Sequence, residues 1–236
     1  MIALIEEYWR PFLYADGDQL SGLAMTLWLT TVSLCLGFVL ALPLSIARVS
    51  SRRRLRWPVQ GFTYLFRGSP LYIQLLIFYT GIYSISAVRE QSLLDVFFRD
   101  ALNCTVLAFA LNTCAYTTEI FAGAIRAMPR GEVEAARSLG FDGWKLYAHL
   151  IMPSVVRRSL PYYSNEVIFL LHSTTLAFTA TVPDILKVAR DANSATFLTF
   201  HSFGIAAALY LVTTFTLVGL FRLAERRWLS YLGPGR

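Results

Sequence analysis

The sequence predicts an all-α integral membrane protein with five transmembrane helices. Of 236 residues, 56% are hydrophobic and only 15% charged, too apolar for a soluble globular chain. The Lys and Arg residues gather in short segments between long apolar runs, the pattern of membrane topology. The segments 48–67, 126–158 and 222–236 hold 16 of them, against 5 in 1–19, 87–100 and 183–202. That bias puts the N-terminus outside and the C-terminus inside.

In chain order, residues 1–19 form an aromatic approach, with Tyr8, Trp9, Pro11, Phe12 and Tyr14 suited to the membrane interface. No cleavable signal peptide is expected there, because Glu6, Glu7, Arg10, Asp16 and Asp18 replace a basic start and an apolar core. Span one covers about 20–47 and closes on Arg48, followed by Arg52, Arg53, Arg54 and Arg56 as a cytoplasmic anchor. Span two is led in by 62–70 and runs through about 71–86. Span three covers about 101–125 and closes on Arg126 and Arg130. Span four covers about 159–181, with Pro161 in its first turn, where a missing N–H is tolerated. Residues 184–199 interleave Ile185, Leu186, Val188 and Ala189 with charges at helical spacing, as an interfacial helix does. Span five covers about 203–221 and closes on Arg222, Arg226 and Arg227. Each stretch approaches the 20 or so residues that cross ~30 Å of hydrocarbon at 1.5 Å per residue. The organisation is therefore an interfacial segment 1–19, a permease-like domain 20–225 containing a polar loop 127–153, and a tail 226–236.

Other classes are disfavoured. The net charge of +6 reflects topology and gives no nucleic-acid surface. Cys35, Cys104 and Cys114 lie in apolar runs without ligand spacing, and are expected as small buried hydrophobes without a disulfide or metal. No nucleophile–base pair or cofactor loop marks an enzyme. A proton-driven secondary transporter working through Glu119 and Glu166 would predict inverted repeats, which the sequence does not show.

The polar loop is the organising stretch. Glu134, Ala135 and Ala136 are strong helix formers, and Gly140 is placed to stop the helix. After nine intervening residues comes Leu150-Ile151-Met152-Pro153. This spacing resembles the cytoplasmic loop of ABC importer permeases, in which a short helix docks into a groove of the ATPase subunit. The segments 66–74, 115–123 and 174–176 resemble the polar amino-acid uptake group, and 103–126 with 172–184 are most similar to its permeases for histidine, lysine, arginine and ornithine. The resemblance implies the type I importer permease fold, a periplasmic N-terminus, a bacterial inner-membrane location and transport of cationic amino acids. It also implies partners: a second related permease subunit, a dimer of ABC ATPase subunits holding ATP and Mg, and a periplasmic amino-acid-binding protein. This chain carries no phosphate-binding loop and is expected to bind no cofactor itself. Docking is implied for Glu134, Ala135, Ala136, Arg137 and Gly140.

Candidate substrate residues follow from charge at depth. Glu119 and Glu166 lie inside apolar runs, where a carboxylate costs ~2.5–3.5 kcal/mol on insertion scales. Asn112, Tyr116, Glu119 and Gly123 share one helical face, as do Tyr162, Glu166 and Ser173, with Asn165 and His172 on a neighbouring face. Glu119 matches a position acidic across the group, which leaves packing, gating or substrate contact open. Glu166 stands where relatives more often carry a neutral residue and His172 where many carry Lys, a combination favouring a cationic substrate; an interhelical hydrogen bond is the other reading of Glu166. His172 alone is expected as a buried, neutral, hydrogen-bonded side chain. The Ser173 hydroxyl either bonds back to its helix or holds the substrate's carboxylate.

Overall fold

The computed structural model describes residues 2–229, with side chains from Glu6 onward, and it is helical but for one small hairpin. Helix α1 (Ile2–Leu13) leads through the hairpin β1 (Ala15–Asp16) and β2 (Gln19–Leu20) into α2 (Gly22–Val49). Then come α3 (Arg53–Gly68) and α4 (Leu71–Leu76), the latter prolonged by a π turn (Ile77–Gly81) and a 3-10 turn (Ile82–Ser84). Two short helices, α5 (Ser86–Glu90) and α6 (Ser92–Arg99), precede α7 (Ala101–Arg126). The polar loop folds as α8 (Arg130–Ser138) and α9 (Gly143–Leu146). A π turn (Tyr147–Ile151) then opens α10 (Met152–Ser173), which tightens into a 3-10 turn (Thr174–Ala180). Helices α11 (Ile185–Thr196) and α12 (Thr199–Trp228) complete the chain, and the tail beyond residue 229 lies outside the described residues.

The centre of the fold is the α2–α7 pair. Along α2 the buried residues Met25, Leu29, Ser33, Gly37, Ala41 and Ser45 recur every fourth position, a stripe of mostly small side chains that lets two backbones close in. At Gly37 the approach is closest. A Cβ there would sit 2.4 Å from Thr113 Cγ2 and 3.1 Å from the Ala110 carbonyl oxygen. The opposite side of α2 leaves Leu36, Val39 and Leu40 exposed, as a lipid-facing surface requires. The start of α7 is set by Asp100, whose carboxylate accepts from the N–H of Leu102 at 2.7 Å and of Asn103 at 3.1 Å.

Three apolar clusters are stacked along the bundle. Met25, Leu29, Leu75, Phe109 and Leu170 fill the middle. Ala41, Phe121, Met128, Ala136 and Val155 fill the end near α8. Phe12, Ile185, Val188, Ala189 and Ala192 fill the other, joining α1 to the face of α11 that the periodicity assigns inward. Among the described residues two helices, α2 and α12, are long and apolar enough to cross a membrane by length and composition. Helices α7 and α10 fall below that measure because their buried faces are polar, with Thr105, Asn112, Thr113, Thr117 and Thr118 on one and Ser159, Ser164 and Glu166 on the other.

The structure corrects several expectations. Residues 53–68 form no loop, but a helix packed beside α2 and α7, so the second apolar run has a partner segment before it and a break at Ser69–Pro70. Its arginine-rich first turn hides it from a hydropathy reading. Pro161 is nine residues inside α10, which starts at Met152 with Pro153 in its first turn. Cys104 and Cys114 are buried, whereas Cys35 is exposed on the outer side of α2. The last helix runs past 225 to Trp228, with Arg226 and Arg227 in its final turn, where cations suit the negative end of the helix dipole.

Candidate functional site

The break between α3 and α4 leaves backbone carbonyls without helical partners, and side chains supply them. Gln74, 5% exposed, donates from Nε2 to the carbonyls of Phe66 at 2.7 Å and Ser69 at 3.0 Å. Asn112 of α7 donates to the same Phe66 carbonyl at 3.0 Å and to Gln74 Oε1 at 3.1 Å. A broken helix in hydrocarbon is tolerated only with such replacement. Asn112 precedes the end of α7 by 14 residues, so the break lies ~21 Å along that helix.

About two turns nearer the end of α7, Glu119 occupies a cleft of 360 Å³ lined by Arg48, Gln60, Thr63, Tyr64, Arg67 and Gly68. Its Oε1 accepts from Arg48 Nε at 2.5 Å and from the Thr63 hydroxyl at 2.8 Å. The carboxylate therefore ties the end of α2 and the middle of α3 to α7. Arg48, read from sequence as part of a topology anchor, turns inward to meet it. Nearby, the Arg67 guanidinium lies 5.1 Å from the Tyr116 ring centroid, and the Tyr116 ring is 6.2 Å from that of Phe169. Gly123, the last of the face that begins at Asn112, is exposed with open space around it.

The α10 candidates divide by exposure. Glu166 is buried at 6% exposure, and its Oε1 has no hydrogen-bond partner among the described residues; the neighbouring hydroxyls of Thr113 and Thr117 are also unpaired. Asn165 and His172 are exposed, and with Tyr162 and Phe169 they form an open face at three- and four-residue spacing. His172 is thus not buried as expected; its Nε2 meets the Thr214 hydroxyl of α12 at 3.0 Å. The Ser173 hydroxyl donates to the Phe169 carbonyl at 2.8 Å and that of Thr175 to the His172 carbonyl at 2.7 Å, so both bond back to their own helix.

In the polar loop, α8 ends at Ser138 and Gly140 takes φ +81, the left-handed conformation that suits glycine. The N–H of Gly140 reaches the Arg137 carbonyl at 2.9 Å and that of Phe141 the Ala136 carbonyl at 3.0 Å, closing the helix end in a Schellman motif. Glu134, Ala135 and Arg137 are exposed, and so are two apolar side chains the sequence reading passed over, Leu139 at 78% and Trp144 at 75%. Ala136 faces inward at 8% exposure, in the cluster with Phe121 and Val155, and is covered by its own chain instead of offering a surface to a partner. Glu132 accepts from the Arg158 guanidinium of α10 at 2.7 Å.

Residues 33–229 match the family described as "Binding-protein-dependent transport system inner membrane component". The chain belongs to this family of importer permeases. It is 58% identical over 234 residues to the histidine/lysine/arginine/ornithine transport system permease protein HisM of Escherichia coli strain K12, covering 99% of this chain and 98% of the relative. It is 40% identical to the octopine transport system permease protein OccM of Rhizobium radiobacter, covering 92% and 86% of the two chains. Among solved structures, an amino acid ABC transporter crystallised with histidines matches with a TM-score of 0.73 at 30% identity, covering 86% of this chain and 90% of that one. The MetNI methionine ABC transporter, inward facing, shares the fold with a TM-score of 0.71 at 16% identity.

The permease is accordingly an inner-membrane transport component and not an enzyme. A permease of this type works with a second permease, an ATPase and a substrate-binding protein. Within it, Thr63, Arg67 and Gln74 are polar residues of the interrupted α3–α4 segment that the sequence reading did not single out, and Arg48 was read there only as an anchor. Arg67 and Gln74 fall in the segment carrying the family likeness, and only their sequence position pointed to them.

Proposed function

We propose that this permease forms one membrane-spanning half of an ATP-driven importer that carries cationic amino acids, namely histidine, arginine, lysine and ornithine, across the bacterial inner membrane. The observation that carries this reading is the 58% identity to HisM along almost the whole of both chains. Glu166 supports it: an intramembrane carboxylate is expensive, and one whose Oε1 has no hydrogen-bond partner among the described residues suits a pathway for cations. The exposed face of Tyr162, Asn165, Phe169 and His172, with Tyr116 beside it, forms the wall of that pathway, and Glu166 lies one layer behind.

In this reading the chain is multi-pass, with five spans of which the second is interrupted between α3 and α4. The N-terminus is periplasmic and the C-terminus cytoplasmic; the Lys and Arg bias favours this orientation even with Arg67 set aside. Its partners are a second related permease (HisQ-like), a dimer of ATPase subunits (HisP-like) that bind ATP and Mg, and a periplasmic binding protein (HisJ-like or lysine/arginine/ornithine-binding). Helix α8 docks on the ATPase through Glu134, Ala135, Arg137 and the turn at Gly140, with Leu139 and Trp144 as apolar anchors. The 40% identity to OccM favours a second reading, in which the substrate is an opine.

Uptake of radiolabelled arginine, lysine, histidine and glutamine by the reconstituted transporter tests both substrate and site, comparing this chain with its Glu166→Gln variant. Cationic uptake that falls selectively in the variant, with ATPase assembly intact, is the expected result. Normal arginine uptake by the variant would make Glu166 structural, and a transporter that carries none of the cationic amino acids would overturn the substrate class.

A further inference from the structure

We propose that the groove between α2, the π turn before α10 and the end of α12 is a site for an anionic phospholipid, its phosphate held by Arg157 and Arg227. The groove has a volume of 720 Å³. Its walls are the apolar side chains of Phe38, Leu42, Met152 and Val156, and its mouth carries Arg157, Arg227 and Trp228. Both arginines are exposed, and neither forms an ion pair among the described residues, whereas Arg48 and Arg158 each meet a glutamate. Among the described residues no carboxylate lines the groove. Two guanidinium groups at one mouth repel unless an anion lies between them, and a phosphate accepts from both with charge-assisted hydrogen bonds.

The rest of the groove decides which anion. Phe38 precedes the end of α2 by 11 residues, so the apolar wall rises ~16 Å from that end toward the middle of the bundle. A free phosphate or nucleotide would leave that wall uncovered. A phospholipid covers both parts, with its headgroup at the arginines and an acyl chain along Phe38 and Leu42. Trp228, 50% exposed, lines the groove with the arginines, and indole rings collect at the membrane interface in membrane proteins. Basic pockets between helices on the cytoplasmic side select anionic headgroups by the same charge logic. The assignment to that side rests on the topology proposed above.

The test is native mass spectrometry of the complete transporter, titrated with phosphatidylglycerol or with phosphatidylcholine of the same acyl chains. The wild type is expected to retain phosphatidylglycerol roughly thirtyfold more strongly, the scale of two basic side chains near a membrane surface. The Arg157→Gln/Arg227→Gln double variant should lose the preference, and Arg222→Gln, outside the groove, should keep it. An Ala148→Trp variant, which fills the groove, should reduce retention of the lipid itself. Equal retention of the two lipids by the wild type, or an undiminished preference in the double variant, would overturn the proposal. So would cross-linking of the Arg157→Cys variant to another subunit in place of lipid, which would make the groove a protein interface. Uptake assays run in parallel separate this proposal from the transport reading, since lipid retention is scored without substrate.

Discussion

Arg48 Nε and Glu119 Oε1 meet at 2.5 Å across 71 residues of chain, on side chains only 17% and 16% exposed. The Thr63 hydroxyl completes the group at 2.8 Å, so one carboxylate fixes the relative positions of three helices. Removing one partner of a buried ion pair costs ~3–5 kcal/mol because the other charge is left uncompensated. Partial exposure reduces this to ~1–3 kcal/mol here. Arg48→Gln and Glu119→Gln should each lower the thermal midpoint of the purified complex, while the double variant recovers much of the loss. Additive losses in that cycle would mean that the two groups do not interact.

Gly37→Ala should destabilise the α2–α7 pair by ~1–3 kcal/mol, the usual cost of overpacking. The added methyl meets Thr113 Cγ2 at 2.4 Å, and backbone atoms of Ala110 and Cys114 stand behind it at 3.1 Å. Thr113→Ser removes the side-chain clash but not the backbone one. Partial rescue of the midpoint is therefore the expected outcome, and full rescue would show that the backbones have room to part.

Much of this was legible in the sequence, and the failures have a common cause. Long apolar runs and arginine stops mark α2, α7 and α12 because those helices obey the rule that hydrocarbon must face hydrocarbon. Gly140 marks the end of α8 because only a left-handed residue fits there. Helix α3 was illegible: it buries only Val59 and Thr63, and its polar residues read as a loop unless one knows that Glu119 and Asn112 await them. The periodicity placed Asn112 on one face with Tyr116 and Glu119, but did not reveal that its partner is a broken helix. His172 and Glu166, on adjacent faces of one helix, differ in burial for a reason no periodicity supplies, namely which neighbour each face meets.

Replacing Leu139 or Trp144 with Ser should weaken assembly with the ATPase at least as much as Glu134→Gln does. Each is about three-quarters or more exposed and large, the profile of an interface anchor. Gly140→Ala should also weaken assembly, by straining the turn at φ +81 that presents them. Co-purification of the ATPase on a tagged permease reads all four variants. Undiminished co-purification of the Leu139 and Trp144 variants would remove α8 and its turn from the docking surface.

Asp184 gives a pH dependence at the opposite end of the molecule. It caps α11, accepting from the N–H of Lys187 at 2.9 Å and of Leu186 at 3.2 Å, and the Tyr210 hydroxyl adds a bond at 3.2 Å. Burial lifts its carboxyl from the ordinary 3.8 to about 6, against the pull of those donors. The fold thus favours the protonated acid. Stability should fall as pH rises from about 4 to 6 and then level off, by a total on the order of 3 kcal/mol. Asp184→Asn keeps an acceptor for the cap and should flatten that slope in thermal midpoints taken between pH 4 and 7.

The interruption at Ser69–Pro70 has a mechanical consequence. Its stranded Phe66 carbonyl is held jointly by Gln74 of the same segment and Asn112 of α7, so sliding α3 along α7 would strip a backbone acceptor of its donors in an environment without water. Together with the Arg48–Glu119 latch, this welds α2, α3 and α7 into a single stator. Helix α12, which buries only Ser202 and Ala206, joins this frame through fewer buried side chains, with the Thr214 hydroxyl at His172 Nε2 tying its middle to α10.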